Sequence, residues 1–131
     1  VDIFYCIPIF TMKLLNESPT ATQETFSRDT LHEAFLDITA STYKGVQGVK
    51  KIDSGKPGPT VGITALTHGN EPSGLAPMVN PDRIQERLQS GSVLLIVNNI
   101  EAARAYFAAT CDDDRKKLRS LDENMNRLPN D

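Results

Sequence analysis

An α/β fold is the class that this 131-residue chain predicts. The stretch Ser92-Val93-Leu94-Leu95-Ile96-Val97-Asn98 is a continuous apolar run, the pattern of a strand covered on both faces. Thr60 to Leu66 reads as a second buried strand and ends in a loop that enters a helix. Helical segments follow each of these strands. The order strand–loop–helix–strand–helix implies a right-handed parallel crossover within one sheet. In such sheets ligands bind beyond the carboxyl ends of the strands, where His68 and Asn98 fall.

Taken in order, Ile3–Phe10 is apolar, but no Lys or Arg precedes it and no small-residue cleavage site follows, so a secretory signal is not expected. The first residue is Val, which makes Met12 a candidate native start. Residues 16–28 are rich in Ser, Thr, Asn and Glu and read as a polar surface segment. Asp29 or Thr30 is placed to cap a short helix whose Leu31, Ala34, Phe35 and Ile38 follow the i, i+3, i+4, i+7 spacing of one buried stripe. Tyr43 to Ile52 predicts one or two short strands interrupted by Gly45 and Gly48, and Ser54–Pro59 is a turn-rich linker. After the Thr60–Leu66 strand, Pro72 suits a first helical turn. Pro77 and Pro81 divide the next stretch into a short helix and a second one from Pro81 to about Gln89. A helix from Ile100 to about Ala109 succeeds the apolar strand, and Asp112–Lys117 reads as a charged, solvated loop.

Composition excludes several classes. With 39% hydrophobic and 24% charged residues the chain is neither disordered nor collagen-like nor a coiled coil. A net charge of −3 offers no basic field for nucleic acid, so an anion would have to be held by a few placed arginines. No run approaches the ~20 apolar residues of a membrane span. Cys6 and Cys111 match no metal or redox spacing; free thiols in a reducing, cytoplasmic compartment are expected, one bridge being the other possibility.

Two groups of residues could carry chemistry. His68 and Glu71 form an H-x-x-E pair at a strand-to-helix turn, where an imidazole and a carboxylate can bind one cation from the same side. The alternative is a surface histidine beside a helix-capping glutamate. Arg119, Asn126 and Arg127 form the second group: a planar guanidinium can grip a carboxylate with two parallel N–H bonds, and an asparagine adds a donor. Read alone, the same residues make an ordinary polar loop. Asn98 and Asn99 could fix the loop of the site or cap the next helix.

The stretch Leu66-Thr67-His68-Gly69-Asn70-Glu71-Pro72-Ser73-Gly74 resembles the H-G-N-E-x-x-G signature of the succinylglutamate desuccinylase/aspartoacylase family, whose members are similar in fold to zinc carboxypeptidases. Asn98–Arg104 resembles the family's N-x-x-A strand end. Arg119 and Asp122-Glu123-Asn124-Met125-Asn126-Arg127-Leu128-Pro129 resemble its R…D-x-N-R segment, although many members carry Asp where this chain has Asn124. Order and spacing agree for all three. The resemblance covers Pro59–Asp131; residues 1–58 carry no such motif.

The resemblance implies the N-terminal part of a zinc carboxypeptidase-like mixed sheet with flanking helices, within a single catalytic domain. It implies His68 and Glu71 as ligands of one zinc ion, and Arg119, Asn126 and Arg127 around a small N-acyl amino acid, with Arg127 on its carboxylate. The reaction implied is hydrolysis of the N-acyl amide. The family's third zinc ligand, a second His, and its catalytic Glu would lie beyond Asp131. No His follows Glu71, and His32 is expected at a helix surface. The chain is therefore expected to be an incomplete, inactive fragment that binds zinc weakly. Its strand edge, left open, favours a homo-oligomer. Two other readings stand beside this one: a metal-free binding or scaffold fragment, and a zinc carboxypeptidase acting on peptides.

Overall fold

A computed structural model describes residues 25–119 and Leu121. It is an α/β arrangement of short helices around a mixed three-stranded sheet, with a separate two-stranded hairpin.

The first helix, α1 (Arg28–Thr39), starts earlier than Asp29 or Thr30 would have it. Ser27 is the N-cap, its Oγ accepting from the Thr30 N–H at 3.1 Å. The expected stripe is the buried one: Leu31, Ala34, Phe35 and Ile38 all face the core. Burial of side chains such as Phe35 and Ile38 contributes roughly 1.5–3 kcal/mol each. His32 is not a plain surface residue. It is half-buried, with its ring stacked 4.6 Å from that of Phe107, because the helix that carries Phe107 packs against this face of α1.

Tyr43 to Ile52 yields three pieces rather than one or two. Strands β1 (Thr42–Tyr43) and β2 (Val46–Gln47) form a hairpin, and β3 (Val49–Asp53) follows. The two turn residues, Lys44 and Gly45, have φ of +49° and +81°, the left-handed pair that matches the twist of a tight hairpin.

Strands β4 (Thr60–Ala65) and β5 (Ser92–Val97) are parallel, as expected, in register from Thr60↔Ser92 to Ala65↔Val97. On the other side of β5 lies β3, antiparallel, so β5 is central in the order β3-β5-β4. Central position explains the continuous apolar run. Val93, Leu95 and Val97 join the main core on one face, while Leu94 is buried on the other.

Between β4 and β5 the chain forms a 3-10 helix (Pro72–Met78) and then α2 (Pro81–Arg87), capped by Asn80. Pro77 lies inside the 3-10 segment; its missing N–H removes a bond that an α-helix would need. After β5 come α3 (Ile100–Ala108) and α4 (Asp112–Lys117). The latter replaces the expected loop. Its three aspartates precede three basic residues, paired i to i+3 as Asp112–Arg115, Asp113–Lys116 and Asp114–Lys117. The signs also match the helix dipole at each end.

Candidate functional site

The carboxyl ends of β4 and β5 are extended by two further bonds, from Asn98 N–H to Ala65 O and from Asn99 N–H to Leu66 O, each 3.0 Å. The chain then leaves the sheet abruptly. Leu66 has φ of +58° although it is not a glycine, and its side chain is buried. Such a conformation costs on the order of 1–3 kcal/mol and persists only where the surroundings enforce it. Here the buried side chain and the Asn99 bond hold it, and the turn delivers Thr67 and His68 to the sheet edge.

Two glycines let the loop after His68 pack closely. A Cβ on Gly69 would stand 2.5 Å from the carbonyl carbon of Ala102, so the loop lies directly on the backbone of α3. A Cβ on Gly74 would stand 3.3 Å from the Ala65 Cβ, so the 3-10 helix lies close against β4. The glycines of the H-G-N-E-x-x-G stretch thus have packing reasons of their own.

His68 is buried, its side chain 4% exposed, whereas Glu71 is half exposed at 52%. Their side chains converge: His68 Nδ1 lies 3.2 Å from Glu71 Oε2. The separation suits chelation, since two ligands about 2 Å from one tetrahedral zinc stand roughly 3.3 Å apart. Donor types fit as well, one imidazole nitrogen and one carboxylate oxygen. A catalytic zinc normally takes three protein ligands, and among the described residues no group of three or more His, Cys, Asp or Glu gathers. The pair supplies two donors of the kinds such a site uses.

Arg119 is brought to the same place. Its Nη1 donates to Glu71 Oε1 at 2.9 Å, and its backbone carbonyl accepts from the Gly69 N–H at 2.9 Å. Asn70 Nδ2 donates to the Lys116 carbonyl at 3.3 Å, so the exit of α4 is docked on the loop at three points. Arg119 thus meets Glu71 directly. Asn126 and Arg127 lie outside the described residues. Both readings of the Asn pair hold, one each: Asn98 Nδ2 donates to Thr67 Oγ1 at 3.2 Å and steadies the loop, while Asn99 accepts from the Ala102 N–H and caps α3. Sequence reasoning gave no role to Thr67 or to the Lys116 carbonyl, since neither carries a spacing signal.

A depression of about 280 Å³ beside the loop is lined by Asn70, Tyr106, Asp112, Arg115 and Lys116. It includes neither His68 nor Glu71. Arg115 there is already bound to the Ala109 carbonyl and to Asp112, so the convergent side chains, not this hollow, define the candidate site. Cys111 is a free, exposed thiol, and no helix of the described residues is long and apolar enough to cross a membrane. Compared with family models, curated proteins and solved structures, the chain matches none of them.

Proposed function

We propose that this chain belongs to a zinc-dependent deacylase that hydrolyses the amide of an N-acyl amino acid, with a zinc carboxypeptidase-like fold, as its resemblance to the succinylglutamate desuccinylase/aspartoacylase family implies. The observation that carries the reading is the convergence of His68 Nδ1 and Glu71 Oε2, 3.2 Å apart, at the carboxyl end of a parallel strand. His68 and Glu71 would hold the zinc, which when bound supplies Lewis acidity to the site. As a ligand, Glu71 is poorly suited to serve as the proton acceptor, and that role falls to another carboxylate. Arg119, at the rim of the pair, would face the substrate, and Arg127 and Asn126 would hold its carboxylate through charge-assisted hydrogen bonds.

One observation favours a metal-free binding or scaffold role. His68, Glu71 and Arg119 satisfy one another in a chain of hydrogen bonds that needs no ion. Calorimetric zinc titration of the wild-type chain, His68→Ala and Glu71→Gln decides between the two. The deacylase reading expects zinc uptake by the wild type that both substitutions weaken at least tenfold. Equal uptake by all three would refute the assignment of these ligands. Hydrolysis of N-acyl amino acids in preference to peptides separates deacylase from carboxypeptidase.

A further inference from the structure

We infer that Arg119 is the internal counter-ion of Glu71, which a divalent cation must displace before the guanidinium can serve an acid ligand; the inference rests on the metal reading of His68 and Glu71. Glu71 has no idle oxygen, since Oε2 faces His68 at 3.2 Å and Oε1 accepts from Arg119 at 2.9 Å. A dication drawn to Oε2 and Nδ1 would sit within a few ångströms of the guanidinium's positive charge and be repelled by it. The backbone of Arg119 is held separately, by the Gly69 N–H. Its side chain can therefore swing away while the α4 exit stays docked. Once released, the guanidinium remains at the rim of the metal pair with its fork free, suited to a carboxylate. Binding is then ordered, metal first and acid second. Both partners of the ion pair are 52% exposed, so the competition is modest and screened by salt.

Zinc titration by calorimetry tests this on wild type, Arg119→Gln, Arg119→Lys and Arg87→Gln. Arg87 lies at the end of α2, toward the opposite end of the sheet, and controls for net charge. Arg119→Gln should bind zinc about two- to fivefold more tightly than wild type at low salt, with the gain fading at ~0.5 M salt. Arg119→Lys and Arg87→Gln should match wild type. A second titration uses N-acetylglycine with and without zinc: zinc should enhance its binding more in wild type than in Arg119→Gln. Zinc affinity of Arg119→Gln equal to or below that of wild type would overturn the displacement, and equal enhancement in both proteins would overturn the ordering. If wild type and Arg119→Gln both bind zinc no better than His68→Ala, the metal reading has failed and this inference falls with it, a result distinct from an unchanged but measurable affinity.

Discussion

Replacing Gly69 by alanine places a methyl carbon 2.5 Å from the carbonyl carbon of Ala102, 2.6 Å from its Cβ and 2.7 Å from its carbonyl oxygen. Ordinary contacts between carbon atoms lie near 3.5–4.0 Å, so the overlap is about 1 Å. Nothing on the helix side can yield like a flexible side chain. Two of the three atoms are backbone, and Ala102 and Ala103 are fully buried in a helix anchored by Phe107. The loop must move instead, straining the Gly69–Arg119 bond and the His68–Glu71 approach. Overpacking of this kind costs about 1–3 kcal/mol. Urea unfolding should show a lower midpoint with an unchanged slope. Gly62→Ala is the matched control: its Cβ would meet only the Ile96 Cδ1, at 3.6 Å. There the reduced freedom of the unfolded chain should stabilise by about 0.4–1 kcal/mol or leave stability unchanged. If Gly69→Ala and Gly62→Ala unfold at the same midpoint, the loop is not seated on α3 and the packing account of Gly69 is wrong.

Leu95→Ala, at a fully buried position in the middle of β5, should cost about 2–5 kcal/mol in the same assay; a loss below about 1 kcal/mol would mean that the sheet's central strand is not where the core is concentrated. Asn99→Ala removes the cap on the Ala102 N–H and should cost about 0.5–2 kcal/mol, with Asn99→Asp largely restoring stability; equal losses in both would point away from capping. The Asp53 carboxyl is held below the usual carboxylate range, first by the hydrogen bond from the Lys51 ammonium and then by the Gly55 N–H, and Lys51 is pushed up in return. Asp53 therefore adds stability above its unfolded-state pKa and loses it as pH falls through the lowered folded value. Lys51 adds stability below its unfolded-state pKa and loses it as pH rises through the raised one. An NMR titration of Asp53 should show its midpoint move upward in Lys51→Gln, and an unmoved midpoint would remove the pair as the cause.

Much of the scaffold was legible because its signals are local. The apolar run Ser92–Asn98 announced a buried strand, and β5 is the central one. The stripe of α1 was legible from its helical spacing, and Gly45 and Gly48 marked breaks in the strand region that follows. The α4 helix was missed because it buries no residue; periodicity of apolar residues, the strongest helical signal, has nothing to act on there. Its alternating blocks of Asp and Lys/Arg were the remaining clue. At the site, His68 and Glu71 were legible as a pair because three residues and one turn separate them.

Distant partners were set by packing. Sequence spacing could place β4 and β5 in parallel, but the antiparallel pairing of β3 with β5 follows from which hydrophobic faces stack, and no motif encodes it. The last turn of α3 contains no basic residue, yet its end carbonyls are well served. Arg28 Nη2 donates to the carbonyls of Tyr106, Phe107 and Ala109, the bond to Phe107 being 2.6 Å. Arg115 donates to Ala109 from the other side. Arg28 reaches the negative end of the helix from an element distant in the chain, and Arg115 from the helix that follows, once α1 and α4 have docked. Arg119 meets Glu71 in the same way, across 48 residues. The sequence determined which residues could bind a cation or a carboxylate; the tertiary structure decided that the arginine rests on the carboxylate, because docking the α4 exit on Gly69 leaves that guanidinium within reach of Glu71.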